Sequence, residues 1–283
     1  MNAAPRLRVS DLPRYAVIGV VNVTPDSFSD GGRFAGPEDA IALGRALAEA
    51  GAAIVEGGGE STRPGAEPVT EADETARVLP VVTALAGAGL RVSIDTTKAA
   101  VAAAALDAGA VMVNDVSGGV REPEILDVVA GHGAAYVAMH MRGTPATMRD
   151  EAHYSDVVAE VGAELRMRVD AAVRAGVAPE AILADPGIGF AKDADQSRAL
   201  LHALPTLAAA VGMPLLVGAS RKSFLAPIVG DDLAARDDAT LAVTVWSFVN
   251  GAAAVRVHDV ASSVRAAALL DVIARATPEG VAA

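Results

Sequence analysis

Eight short apolar runs recur along the chain, at 16–23, 53–55, 91–95, 111–115, 135–140, 182–185, 214–220 and 253–258, and each is followed by a stretch of helical character. Most of the runs are too short and too uniformly apolar to leave one face in water. That is the pattern of parallel strands covered on both sides. The intervening stretches, 37–50, 71–86, 98–108, 123–131, 154–175, 194–210, 237–250 and 261–276, are amphipathic or alanine-rich. Gly51, Gly87, Gly109, Gly176 and Gly251 mark helix stops that turn the chain back toward the next strand. Eight strand–helix units in a chain of 283 residues have the count and rhythm of an α/β fold of the single-domain (β/α)8 TIM-barrel type. An open, doubly wound sheet is the rival arrangement. No linker-like shift in composition interrupts the chain, so it reads as an N-terminal extension (1–14), one barrel domain (15–276) and a C-terminal tail (277–283).

Composition narrows the function classes. Hydrophobic residues make up 52% and charged residues 20%, which excludes intrinsic disorder. With no cysteine there are no disulfides, thiolate metal sites or cysteine nucleophiles, a usage that suits a cytoplasmic protein. The net charge is −12 and no Lys/Arg block occurs, so neither nucleic acid nor an anionic membrane is the expected partner. Arg6, Arg8, Asp11 and Arg14 interrupt the segment where a signal peptide needs an unbroken apolar core. The stretch 199–220 lacks Asp, Glu, Lys and Arg, but Pro205, Gly212 and Pro214 divide it into helix, turn and strand rather than a membrane span.

The C-terminal ends of the runs concentrate polar residues: Asn22, Glu56, Asp95, Asn114-Asp115, His140, Asp185, Ser220-Arg221-Lys222 and Arg256-Val257-His258-Asp259. Capping of the following turn accounts for some of them, Asp115 and Asp259 best of all. In a barrel, however, all eight ends meet on one rim, where active sites lie. The long connections 22–36, 61–70 and 141–153 fall on the same side. The set has mixed sign. Asp95 and Asp185 match paired N–H donors of a nitrogen heterocycle. Lys222, Arg256 and His258 supply donors and positive charge for phosphate. No dinucleotide or P-loop glycine signature is present. His132, His140, His153 and His202 have no metal-ligand spacing, Trp246 and Phe248 read as core, and Glu38-Asp39 and Glu71–Glu74 read as solvated helix starts.

Several segments together resemble one family, the dihydropteroate synthases. Asn22-Val23-Thr24-Pro25-Asp26-Ser27-Phe28-Ser29-Asp30-Gly31-Gly32 and Gly58-Gly59-Glu60-Ser61-Thr62-Arg63-Pro64-Gly65 are similar to its first two loop signatures. Ser93–Thr96, Val113–Gly119, Met139–Pro145, Asp185–Lys192, Gly218–Leu225 and Val255–Asp259 are similar to its inner strand ends, and the resemblance covers about residues 15–275. It implies condensation of 6-hydroxymethyl-7,8-dihydropterin pyrophosphate with p-aminobenzoate, with Mg²⁺ as cofactor, sensitivity to sulfonamides and a homodimer formed through the last helices. It implies that Asp95, Asn114, Asp185 and Lys222 hold the pterin, with Met139 also in the substrate site, that Asn22 ligates Mg²⁺, and that Thr62, Arg256 and His258 grip the pyrophosphate. Arg63, Ser220, Phe190, Thr24, Pro25 and Phe28 would shape the p-aminobenzoate site. Asp95, Asp185, Lys222, Arg256 and His258 form the implied catalytic set, in an elimination-led reaction without a strong general base.

One position departs from the pattern. Glu56-Gly57 stands where the family usually has an aspartate and a small β-branched residue, so the carboxylate reaches further and the glycine is expected to loosen a strand end. Two other functions share part of the pattern. A pterin-barrel methyltransferase would not need the Thr-Pro-Asp-Ser-Phe loop, the Ser-Arg-Lys segment or the Arg-Val-His end. A non-catalytic pterin-binding paralogue would carry degenerate loops, and both loops are complete.

Overall fold

The structure, a computed structural model, describes residues 6–23, 36–63 and 65–276. Eight parallel strands run in the order β6-β5-β4-β3-β2-β1-β8-β7. They are β1 (Ala16–Asn22), β2 (Ile54–Gly58), β3 (Val92–Asp95), β4 (Met112–Asp115), β5 (Ala135–Met139), β6 (Ile182–Asp185), β7 (Leu216–Val217) and β8 (Ala254–Val257). A parallel bridge between Ala184 and Leu215 joins β6 to β7 and closes the sheet into a barrel. The doubly wound alternative is thereby excluded.

Alternation along each strand sorts the side chains into two layers. Ile18, Ile54, Met112, Val137, Leu183 and Leu216 form a buried cluster inside the barrel. Val17, Val55, Ile94, Val113, Tyr136, Ile182 and Val255 lie in the larger cluster between barrel and helices. Leu7 joins the inner cluster, so part of the expected N-terminal extension packs with the barrel interior. Its neighbour Arg6 donates its backbone N–H to Gly133 O.

The helices are α1 (Pro37–Glu49), α2 (Glu71–Gly87), α3 (Ala99–Asp107), α4 (Glu124–His132), α5 (Val157–Arg174), α6 (Ala194–His202), α7 (Leu204–Val211), α8 (Ala226–Val229), α9 (Leu233–Val249) and α10 (Val260–Arg275). Several differ from the sequence expectation. The stretch 194–210 is two helices, because Pro205 lacks an N–H and sits in the first turn of a new one. α9 begins four residues earlier than expected, where the Asp232 side chain accepts the Ala235 N–H and caps it. β2 runs through Glu56 and Gly57 to Gly58, each paired with β1, so Gly57 does not loosen the strand end. Glu74 is no solvated helix start: it is buried against Lys98. Trp246 is about half exposed rather than core, its indole N–H donating to Leu201 O, while Phe248 is buried against Tyr15. No described helix is long and apolar enough to cross a membrane.

Candidate active site

Above the apolar inner cluster, the inward positions of the strands become polar. Asp95 is in register with Gly58 on one side and Asn114 on the other, and Met139 is in register with Asp185. Asn22 ends β1 opposite Gly58. Arg256 has the same parity as the inner-cluster residue Ala254. Side-chain alternation alone therefore turns Asn22, Asp95, Asn114, Met139, Asp185 and Arg256 into one mouth. Asp115 and His140 have the opposite parity and leave it. Asp115 accepts the Ser117 and Gly119 backbone N–H groups and the Tyr136 hydroxyl, and Asp259 caps α10 at Ser262 N. Both act as caps, as read from sequence.

Arg256 is the hub of the mouth. Its Nη2 donates to Asp95 Oδ2 at 2.7 Å and its Nε donates to Glu56 Oε1. Burial presses on the guanidinium, but Glu56 and Asp95 outweigh it and hold Arg256 above its ordinary range. Burial also pushes the Asp95 carboxyl up to about 7; Arg256 opposes this, while Glu56, Glu74 and Asp115 add to it.

The opposite wall carries Asp185 and Lys222. Asp185 Oδ1 accepts the Gly187 N–H at 2.7 Å, and burial pushes its carboxyl up while Lys222 pulls it down. Lys222 Nζ donates to Ile188 O at 2.5 Å and lies 4.3 Å from the centre of the Phe190 ring. Burial lowers this ammonium to about 8, with Asp185 resisting. A Cβ on Gly218 would stand 3.5 Å from Asp185 Oδ2 and 3.9 Å from Arg256 Cβ, so the glycine lies between the two walls. At the rim, Ser220 Oγ pairs with His258 Nδ1 at 2.9 Å. Burial, then Arg221 and Arg256, push His258 down to about 4. His258 thus brings a neutral ring, where the sequence reading counted a positive charge.

Beside Asp95 and Thr62 a cavity of about 510 Å³ opens toward the loops after β3, β4 and β5, with Val116, Met141, Thr144 and Arg168 among its lining residues. Glu60 and Glu74 line its wall, and Lys98 is held between them. Arg168 donates to Met139 O and Met141 O, both at 2.5 Å, and so fixes the end of β5. His140 sits between Glu164 on Nε2 and Lys192 on Nδ1, and Lys192 also donates to Phe190 O at 2.8 Å. Burial, then Lys192, lower His140 to about 3, so it serves as a neutral brace behind the β6 loop. Among the described residues, no group of three or more His, Cys, Asp or Glu could hold a metal ion.

The sequence reading therefore assembled most of the mouth. Thr24, Pro25 and Phe28 lie outside the described residues. Arg63 is exposed at the rim, with its N–H 3.4 Å from Ser61 Oγ. The reading missed the bracing shell of Lys98, Arg168 and Lys192, and what Glu56 holds. Strand parity could have found Glu56, since it is two residues beyond the inward Ile54.

The family model described as "Pterin binding enzyme" matches residues 18–258. The dihydropteroate synthase of Mycobacterium leprae is 50% identical over 270 residues, 93% of this chain and 95% of that protein. The Xanthomonas albilineans dihydropteroate synthase with 4-aminobenzoic acid superposes with a TM-score of 0.87 at 42% identity, covering 97% of this chain and 100% of that one. The Yersinia pestis dihydropteroate synthase with a sulfonamide drug gives 0.88 at 37% identity, covering 98% and 100%.

Proposed function

This chain belongs to the pterin-binding enzymes, among the dihydropteroate synthases, and from that premise we propose that it joins 6-hydroxymethyl-7,8-dihydropterin pyrophosphate to p-aminobenzoate, giving 7,8-dihydropteroate and pyrophosphate in folate biosynthesis. The observation that carries the reading is the sorting of charge inside the mouth. Buried Asp95 and Asp185 and the Asn114 amide stand with Lys222 and Arg256 in one barrel end.

Asp185 accepts the amino and ring N–H edge of the pterin, a two-acceptor match. Lys222 donates to the ring acceptors, and Met139 and Phe190 flank the ring. Arg256 spends Nε and Nη2 on Glu56 and Asp95, leaving its Nη1 end for the pyrophosphate together with Thr62 and the His258 ring. Asp95 faces the methylene carbon and shields the positive charge that grows there as the C–O bond breaks. The aniline of p-aminobenzoate, held by Arg63, Ser220 and Phe190 with Thr24, Pro25 and Phe28, attacks that carbon and loses its proton afterwards. No general base is needed.

Mg²⁺ fits this donor set. A hard cation that keeps its waters and shares phosphate oxygens needs few protein ligands, and the Asn22 carboxamide at the end of β1 is one. When bound it supplies charge neutralisation to the departing pyrophosphate. The protein acts in the cytoplasm as a homodimer.

The test is pyrophosphate release from dihydropterin pyrophosphate with Mg²⁺, with and without p-aminobenzoate. Release coupled to dihydropteroate, and suppressed by a sulfonamide competing with p-aminobenzoate, is the expected result. Pterin binding without release would make the chain a binding paralogue.

A further inference from the structure

Asn114 is 3% exposed, and its two amide atoms fare differently. Nδ2 donates to Glu56 Oε1 at 3.2 Å, whereas Oδ1 is buried with no hydrogen-bond partner. Glu56 explains the orientation. It is 1% exposed, and all three of its partners are donors: the Ser93 hydroxyl to Oε2 at 3.0 Å, the Asn114 amide, and Arg256 Nε. A carboxylate paired with a guanidinium has no hydrogen to give, so it accepts only the NH2 end of Asn114. The carbonyl is left as a buried acceptor that no described residue satisfies. A buried acceptor left in this state is a demand for a donor from the ligand.

We propose that Glu56 is a positioning and specificity-determining residue: its carboxylate locks Asn114 as a hydrogen-bond acceptor, so the mouth selects heterocycles that present an N–H there and rejects those that present a lone pair. The inference deepens, and rests on, the reading of this mouth as a pterin site. Among the described residues no other side chain is hydrogen-bonded to the Asn114 amide, whose backbone pairs with β3 and β5. The same carboxylate holds Arg256 beside Asp95, so one side chain from β2 sets the donor–acceptor pattern of β4 and the position of the cation on β8.

The variants are Glu56→Met, which keeps the length but removes the acceptor, and Glu56→Gln, which keeps an amide oxygen for Asn114 and Arg256 while its NH2 faces Ser93. Binding of 6-hydroxymethyl-7,8-dihydropterin, which lacks the pyrophosphate, is measured by calorimetry. Glu56→Met is expected to weaken it about tenfold or more, Glu56→Gln by about threefold or less. In an Asn114→Ala background the Glu56→Met effect should shrink, what remains being the share that runs through Arg256 and Asp95. Equal losses with and without Asn114, or wild-type affinity in Glu56→Met, overturn the proposal. So does a Glu56→Gln as impaired as Glu56→Met. The Asn114 side-chain ¹⁵N–¹H signals of the wild-type protein decide the matter even if Glu56→Met does not fold. Slow-exchanging protons before pterin is added are expected; protons protected only after it is added overturn the lock. Absence of any pterin binding by the wild-type protein overturns the site reading and the selectivity with it, while the ligand-free exchange result stands separately.

Discussion

Asp95 and Lys222 face the pterin site with ionisation shifted in opposite directions by the same cause, burial. Asp95 must be ionised to shield a cationic carbon, and its carboxyl lies at about 7. Lys222 must be protonated to donate, and its ammonium lies at about 8. The fraction with both correct rises as pH passes the first value and falls as it passes the second. The expected kcat/KM for the pterin substrate is therefore a narrow bell, with an acid limb near 7 and an alkaline limb near 8. Lys222→Arg should abolish the alkaline limb, since a guanidinium stays charged throughout. A profile flat from pH 6 to 9 would remove these groups from the roles given them. Asp95 was legible because it ends a short apolar strand, and Lys222 because it follows one in the Ser-Arg-Lys segment. What Glu56 holds was not legible, because only the closed barrel brings it within reach of Arg256, two hundred residues away in the chain.

At the scale of elements, the β6 loop shows what was and was not legible. The strand Ile182–Asp185 was read with its observed bounds, because apolar residues run without interruption into an aspartate. What holds the following loop was not legible, since it depends on His140, just beyond β5, and on Lys192. Gly187 has φ +68°, and a Cβ there would lie 1.9 Å from His140 O, a backbone atom that cannot yield. Gly187→Ala is expected to cost about 2 kcal/mol or more in denaturant unfolding, from a strained φ combined with a backbone clash. Asp185 Oδ1 accepts from this residue's N–H and Lys192 holds Phe190 O, so the pterin affinity should fall with the stability. Wild-type stability and affinity together would show that the loop absorbs the methyl group. The misjudged helix limits have a similar origin: Asp232 is a capping residue in hindsight, but the Leu-Ala-Ala-Arg segment after it lacks the amphipathic pattern that marks a helix from sequence.

For the whole molecule, the net charge of −12 and the anionic substrate are reconciled by location, because the cations Lys222 and Arg256 stand within the mouth. What the barrel leaves unsatisfied lies on its outside. α9 and α10 pack side by side, and they expose Trp246, Val249, Leu269, Val272 and Ile273, each between 46% and 68% exposed. Exposed large apolar side chains on adjacent helices are the kind of surface an isologous dimer would bury against its own copy, and the proposed homodimer is expected to use them. The family resemblance pointed to the last helices, but the residues alone could not single out this face, because alanine-rich and apolar helices have no obvious polar side, and Trp246, in an apolar helix, was read as core. Val272→Asp, at a position 68% exposed, should leave the barrel intact and place an uncompensated charge in the interface. Sedimentation velocity at micromolar concentration is expected to show a dimer for the wild-type chain and a monomer for the variant. The polar contacts described around the pterin position come from one chain, so the monomer should still bind 6-hydroxymethyl-7,8-dihydropterin with the wild-type affinity. A wild-type chain that sediments as a monomer would assign the apolar face to some other partner. A variant monomer that has lost pterin binding would show that dimerisation braces the mouth through β8, which α10 follows directly in the chain.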